Sequence, residues 1–194
     1  MKKIIEFDDV EKKYKDIIDI AKKYMQNIDD CEHDINHIHD VVYYTKLLIK
    51  KLNIDINVDV CIISAYWHDV GRIKIDAGHE KISAQMLKET MTIYKYDDIL
   101  IDECCKAIEN HKWNMLPKAK EGLIIKDADK LAWIGMGRWK SCLNSNQKLD
   151  LIIELLPKLR NDILYFDESK KIYDNDIVEL IRLLYSQIKK DTSN

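Results

Sequence analysis

The sequence predicts an all-α fold, a single-domain helical bundle, and three observations carry that prediction. Chain breakers are scarce: five Gly and two Pro in 194 residues are too few for the many hairpins of an all-β fold. Apolar residues recur every three or four positions through most of the chain. No linker, repeat or low-complexity tract separates two halves, and a chain of 194 residues buries enough surface for one core without staples. The expected domain therefore runs over residues 1–194.

The elements follow in order. Val10, Tyr14, Ile17, Ile18, Ala21 and Tyr24 share one stripe and predict a first helix over Val10–Tyr24. Asp34 stands where an N-cap belongs, and Ile38, Val41, Val42, Thr45, Leu48, Ile49 and Leu52 continue the period of a second helix behind it. Val60–Val70 is apolar almost all round, as a buried central helix is, and Gly71 suits the left-handed turn after it. Further helices are expected over Lys81–Thr90, Ile99–Asn110, Gly122–Ile134, Leu149–Leu164 and Asp176–Lys189, with Arg72–Gly78, His111–Glu121 and Asp167–Tyr173 as polar loops. The helices of 149–190 are expected to complete the bundle.

Composition removes several classes of function. Lys+Arg 31 against Asp+Glu 34 nearly cancel, with no long run of one sign, so no nucleic-acid partner is expected. No window approaches the ~20 apolar residues of a membrane span, and the first ten residues lack the apolar stretch of a signal peptide. The five cysteines, Cys31, Cys61, Cys104, Cys105 and Cys142, form no Cys-x-x-Cys pair and read as reduced thiols of a cytoplasmic protein. Nothing in the pattern assigns an oligomeric state.

Several polar residues sit where core residues belong. His37 lies on the stripe of Val41, Tyr44 and Leu48 and points inward, as a hydrogen-bonded core histidine or as a ligand. His39 falls on the opposite, solvent side, and His33 precedes the helix. His68 and Asp69 close the apolar run Cys61–Trp67, where an uncompensated carboxylate would cost several kcal/mol. A salt bridge or a cap would compensate Asp69, and so would a cation shared with His37, since imidazoles and carboxylates together suit divalent ions. Asp127 and Asp129 flank the apolar stripe of Gly122–Ile134 at nearly equal angles, with Lys126 and Lys130 marking its solvent side, so periodicity does not choose between the two acids. His79 and His111 each stand at a predicted helix end, where caps and active-site groups both occur.

Taken in order, these residues resemble the HD superfamily of metal-dependent phosphohydrolases. His33-Asp-Ile-Asn-His37 is similar to its opening motif, and Ala65-Tyr-Trp-His-Asp-Val-Gly-Arg72 to its defining dyad. His79-Glu-Lys-Ile-Ser-Ala84 and Ala107-Ile-Glu-Asn-His111 resemble the segments that often supply further histidines. Asp127-Ala-Asp-Lys-Leu131 resembles the closing motif. The resemblance spans about residues 33–131 and implies an HD-type bundle with His37, His68, Asp69 and Asp129 as metal ligands, which breaks the tie between the two aspartates. It also implies that Asp34, Asp127 and Lys130 lie beside the ligands and that Asp69 and Arg72 act in catalysis. His79 and His111 are then candidates for a second ion or for phosphate. His39-Asp40 departs from the family, where a basic residue is common two positions after the first ligand, and Asp40 alters the charge expected at the pocket mouth.

The cofactor implied is one divalent cation among Mn, Fe, Co, Ni, Zn and Mg. Such an ion, with one or two open positions, lowers the pKa of bound water and polarises a phosphoryl oxygen. The expected activity is hydrolysis of a phosphate ester or anhydride, with a nucleotide or another small phosphorylated metabolite as substrate. Asp69 is also a candidate proton acceptor, and Arg72 offers paired donors to phosphate. Lys74 and Lys112 serve phosphate if their loops fold over the site. Arg138 and Trp139 are candidates to reach a base or ribose, whereas Trp113, Trp133 and Trp139 suit core or pocket wall. Two other classes stay open: an oxygenase with two irons, for which His79 and His111 supply extra ligands, and a nucleotide sensor without turnover.

Overall fold

The computed structural model describes residues 7–28, 30, 32–136, 139 and 149–191. The described residues are helical throughout their regular elements, with no strand among them. In chain order they form α1 (Phe7–Lys13), α2 (Lys15–Met25), α3 (Ile35–Leu52), α4 (Val58–Trp67), a 3₁₀ turn (Val70–Ile73), α5 (His79–Ile93), α6 (Asp98–Glu109), α7 (Lys120–Ala132), α8 (Leu149–Lys158), a π turn (Leu159–Ile163) and α9 (Asp167–Asp191). None of these helices is long and apolar enough to cross a membrane.

α4 is the axis of the bundle. Every residue from Val60 to Trp67 is buried, because α1, α2, α3, α6 and α7 all pack around it. Its start is set by Asn57, whose Oδ1 accepts from the Val60 amide at 3.4 Å, and the α3 start by Asp34, whose carboxylate accepts from the amides of Asn36 and His37. Trp67 fills the space below the α4 end and donates its indole N–H to the Ile17 carbonyl at 3.2 Å. α7 lies against α3, and α9 crosses both of them.

Several expectations change. The first helix breaks at Tyr14, which leaves the helical region (φ −109°, ψ 20°) as its hydroxyl turns inward to donate to Asp59 Oδ2 at 2.6 Å. Gly71 does not end α4 in a left-handed turn; it sits inside the 3₁₀ turn, where an added Cβ would lie 2.2 Å from the His79 carbonyl oxygen and 2.6 Å from the Ser83 amide. The glycine that needs a positive φ is Gly78, at +92° on the threshold of α5. The expected helix over 149–164 changes to a π turn after Lys158, and Pro157, which lacks a backbone N–H, breaks the regular bonding there.

Asp167–Tyr173 is the first part of α9 rather than a loop, because Ser169, Ile172 and Tyr173 are buried and Asp127 holds the Tyr165 and Phe166 amides just before it. Lys126, expected on a solvent face, is buried too, since α7 is covered on one side by α3 and α4 and on the other by α9 and the π turn. Among the described cysteines, Cys61, Cys104 and Cys105 are unpaired, while Cys31, Cys142 and Arg138 lie outside the described residues.

Candidate metal centre

Two helices and one helix end deliver the polar cluster. α3 supplies His37 from its first turn, the end of α4 supplies His68 and Asp69, and α7 supplies Asp129; all four are buried, at 0%, 0%, 2% and 6% exposure. His37 Nε2 lies 3.3 Å from His68 Nε2, 3.6 Å from Asp69 Oδ2 and 3.4 Å from Asp129 Oδ1. His68 Nε2 is 3.6 Å from Asp69 Oδ2 and 3.9 Å from Asp129 Oδ1. Ligands about 2.0–2.2 Å from a common ion are about 3.0–3.5 Å apart, so these atoms stand at or slightly beyond the spacing that one divalent cation imposes.

A second set surrounds the other oxygen of Asp69. α5 begins with His79, whose Nε2 lies 2.9 Å from Asp69 Oδ1, and His111, just beyond α6, places its Nε2 3.7 Å from the same atom. Asp69 Oδ1 and His79 Nε2 are nevertheless both buried without a hydrogen-bond partner. Two orphaned acceptors this close fit a cation between or beside them better than they fit bare protein. His37, His68 and Asp129 on one side, and His68, Asp69 and His111 on the other, form two groups that could hold a metal ion.

Backbone carbonyls orient the imidazoles. The Nδ1 of His68 is 2.9 Å from the Ala65 oxygen, that of His79 2.7 Å from the Asp76 oxygen and that of His111 2.6 Å from the Ile108 oxygen. Each Nδ1–H donates to the carbonyl three residues earlier, which leaves the Nε2 lone pair directed at the carboxylates, as ligation requires. Burial pulls the His68 imidazole down to about 3, so it stays neutral and able to bind a cation. Burial opposes the charge on Asp69, yet the neighbouring imidazoles and Arg72 hold its carboxyl well below the usual range. Arg72 Nε donates to Asp69 Oδ2 at 2.9 Å and its Nη1 to Asp76.

Lys130 pairs with Asp129, its neighbour on α7, so Asp129 faces the cluster with Oδ1 and the lysine with Oδ2. Asp34 bonds the His37 amide and thereby sets the first turn of α3. Asp127 does something different: it points away from the cluster and accepts from the Tyr165 and Phe166 amides at 2.9–3.0 Å. The carboxylate of Asp40 packs against Gly135 at the end of α7.

A cleft of about 390 Å³ opens onto the cluster, lined by His33, Arg72, His79, His111, Lys112, Trp113, Asn114, Asp129, Lys130, Trp133, Leu155 and Leu159. The sequence pattern gave no place here to Leu155 and Leu159, because the last third of the chain reaches the cleft only through tertiary packing. The tie between Lys112 and buried Glu80, 2.7 Å apart, was equally invisible. Trp139 is buried in the core, with its indole N–H donated to the Trp133 carbonyl at 2.8 Å, and does not line the cleft, whereas Trp113 and Trp133 do. His39 is exposed, as its helical position implied, and Lys74 is exposed beyond the 3₁₀ turn.

The chain is thus a helical bundle built around a buried histidine and aspartate centre suited to divalent metal. It belongs to the HD domain family, whose pattern matches residues 34–134. Among solved structures, a protein described as a predicted HD superfamily hydrolase from an uncultured Thermotogales bacterium superposes with a TM-score of 0.68 at 18% identity, over 96% of this chain and 99% of that one. Bacillus subtilis YpgQ, crystallised in complex with ADP, superposes with a TM-score of 0.62 at 19% identity, over 90% of this chain and 97% of its own. No curated protein matches the sequence. Family membership and the clustered ligands together support a metal-dependent hydrolase.

Proposed function

We propose that the protein is a metal-dependent phosphohydrolase acting in the cytoplasm on a nucleotide or another small phosphorylated metabolite. The observation that carries this reading is the placement of three cationic side chains, Arg72, Lys112 and Lys130, around a cleft that reaches the His37, His68, Asp69 and Asp129 cluster through Asp129, His79 and His111. That charge pattern suits an anionic substrate presented to a metal. The ADP bound by YpgQ supports a nucleotide within that class.

A divalent cation held by the four residues would supply Lewis-acid activation of water and of the phosphoryl oxygen. The chain does the rest. Arg72 is fixed through Nε and Nη1 to Asp69 and Asp76, which orients its planar fork and leaves Nη2 available to a phosphate oxygen. Lys130 and Lys112 are held at the rim by Asp129 and Glu80, so their charge is in place before substrate arrives. Both oxygens of Asp69 already face imidazoles or Arg72, which suits the ligand role better than that of proton acceptor.

The test pairs metal analysis of the purified protein with a screen of nucleoside mono-, di- and triphosphates for release of phosphate or pyrophosphate in the presence of Mn. Turnover by the wild type that disappears in Asp69→Ala is expected. Turnover that persists in that variant sinks the assignment. The approach of His79 and His111 to Asp69 Oδ1 favours a second reading, a centre with two irons that reacts with oxygen. Two irons per chain and oxygen consumption without hydrolysis would select it, whereas tight nucleotide binding with no product would mark a sensor.

A further inference from the structure

The cleft takes only His79, His111 and Asp129 from the polar cluster. Its side is built by four consecutive residues, His111, Lys112, Trp113 and Asn114, which grade from buried to open. The strip is anchored at its inner end twice, through the His111 ring on the Ile108 carbonyl at 2.6 Å and through Lys112 on Glu80 at 2.7 Å. Next to these anchors Trp113 leaves half of its surface, 51%, exposed. Trp133, Leu155 and Leu159 add apolar wall to the same cleft.

An indole half open beside ammonium and guanidinium groups presents a flat apolar face where a phosphorylated ligand would extend away from the metal. At about 390 Å³ the cleft lies near the small end of ligand pockets, which suits a mononucleotide. Asn114, the next residue outward, carries both donor and acceptor and so can bond the edge of a heterocycle.

We propose that Trp113 is the specificity-determining residue of the cleft: its indole stacks on a planar heterocyclic ring of the ligand, while Lys112, held by Glu80, engages the phosphate. The proposal rests on the reading of the cleft as a phosphate-ester site. A bare sugar phosphate offers no planar ring, so the strip distinguishes nucleotides from phosphorylated sugars.

The experiment measures binding by calorimetry to the full chain loaded with Mn. The probes are the methylenephosphonate analogues of AMP and of ribose 5-phosphate, neither of which carries a hydrolysable ester bond. Loss of a base–indole stack weakens binding about tenfold. Trp113→Ala and Trp113→Leu should therefore both lower the affinity for the AMP analogue about tenfold relative to that for the ribose analogue, and Trp113→Phe should restore most of the difference. Two variants of different size keep the test open if one of them folds poorly.

An unchanged ratio of the two affinities overturns the proposal, because equal losses would mean that the indole packs on the sugar. Failure of the wild type to bind the AMP analogue also overturns it. If binding depends on Trp113 but no nucleotide is hydrolysed, the stacking role stands and the hydrolase reading falls.

Discussion

Replacing Asp127 by alanine separates two functions that lie two residues apart on α7. The Asp127 carboxylate is fully buried and accepts from the Tyr165 amide at 2.9 and 3.0 Å and from the Phe166 amide at 2.9 Å. Removing it leaves two amides without an acceptor at the entry to α9. Each orphaned donor costs about 1–3 kcal/mol, and these amides are only partly covered, so the lower part of that range applies to both. Burial also pushes the Asp127 carboxyl up in spite of its bonds, which means that the charge is itself costly and its loss returns part of the cost.

The net destabilisation is about 2 kcal/mol, and in a chain of this size that lowers Tm by about 4–8 °C. Scanning calorimetry of the wild type and Asp127→Ala reads the shift, and elemental analysis of the same samples reads the metal. The metal content should stay at the wild-type level, whereas Asp129→Ala should lose it. A Tm within about 1 °C of wild type, or loss of metal from Asp127→Ala, would refute the division of labour between the two aspartates.

Gly71→Ala forces the 3₁₀ turn away from the backbone of α5 at His79 and Ser83, an overpacking that costs about 1–3 kcal/mol; melting together with a metal titration should show a lower Tm and weaker binding, and unchanged values would contradict the contact. Chelation should lower Tm by about 5–11 °C if the metal stands at 100 times its Kd, since binding of that strength stabilises by about 2.7 kcal/mol; a melting curve indifferent to EDTA in protein that contains metal would exclude a structural contribution.

Glu11 supplies a pH-dependent contribution far from the centre. Burial raises its carboxyl, but hydrogen bonds from Lys46 and Tyr66 outweigh that and leave it lowered. A depressed acid contributes stability above its unfolded pKa of about 4.3 and loses it as the pH falls through the folded value. Urea unfolding should therefore show a gap between wild type and Glu11→Gln that is full at pH 7 and narrower near pH 3, and an equal gap at both would sink this assignment.

What the sequence revealed of the fold follows from which helices have a single wet face. α3 and α6 each bury one stripe, and their periodicity located them to within a few residues, whereas the stripe of Val10–Tyr24 ran through the break at Tyr14 and merged α1 with α2. α7 buries residues on both sides, so Lys126 misled and the angles of Asp127 and Asp129 were symmetric about the stripe. Only the motif resemblance chose Asp129, and the reason for the symmetry is visible in the packing: one acid faces α3 and α4, the other the entry to α9.

α9 began earlier than its pattern because the segment leading into it is held by Asp127, a residue 38 positions from Tyr165. His37 stood out because a polar ring on an apolar stripe needs a partner, whereas His79 and His111 stood at helix ends and only the motif resemblance gathered them with it. The cleft walls from Trp113, Trp133, Leu155 and Leu159 were not legible as a group, since apolar side chains carry no mark that distinguishes a pocket from a core.

The position of Asp69 explains why this end of the bundle collects so many candidate ligands. α4 is buried all round and must stop before its polar end groups become a liability, and it stops where His68 and Asp69 reach the partners that α3 and α7 provide. The chain then has to reverse toward α5 within a few residues. It does so through a 3₁₀ turn whose Gly71 lies against the α5 backbone and donates its amide to Ser83 Oγ at 2.7 Å.

That contact draws the start of α5 inward and brings His79 within 2.9 Å of the Asp69 oxygen that the first cluster does not use. The approach of His79 to Asp69 therefore depends on the packing of Gly71 on α5, while the first set depends on α3 and α7. His37, His68 and Asp129 form one group that could hold an ion and His68, Asp69 and His111 the other, so changes confined to α3 would alter the first without removing the second.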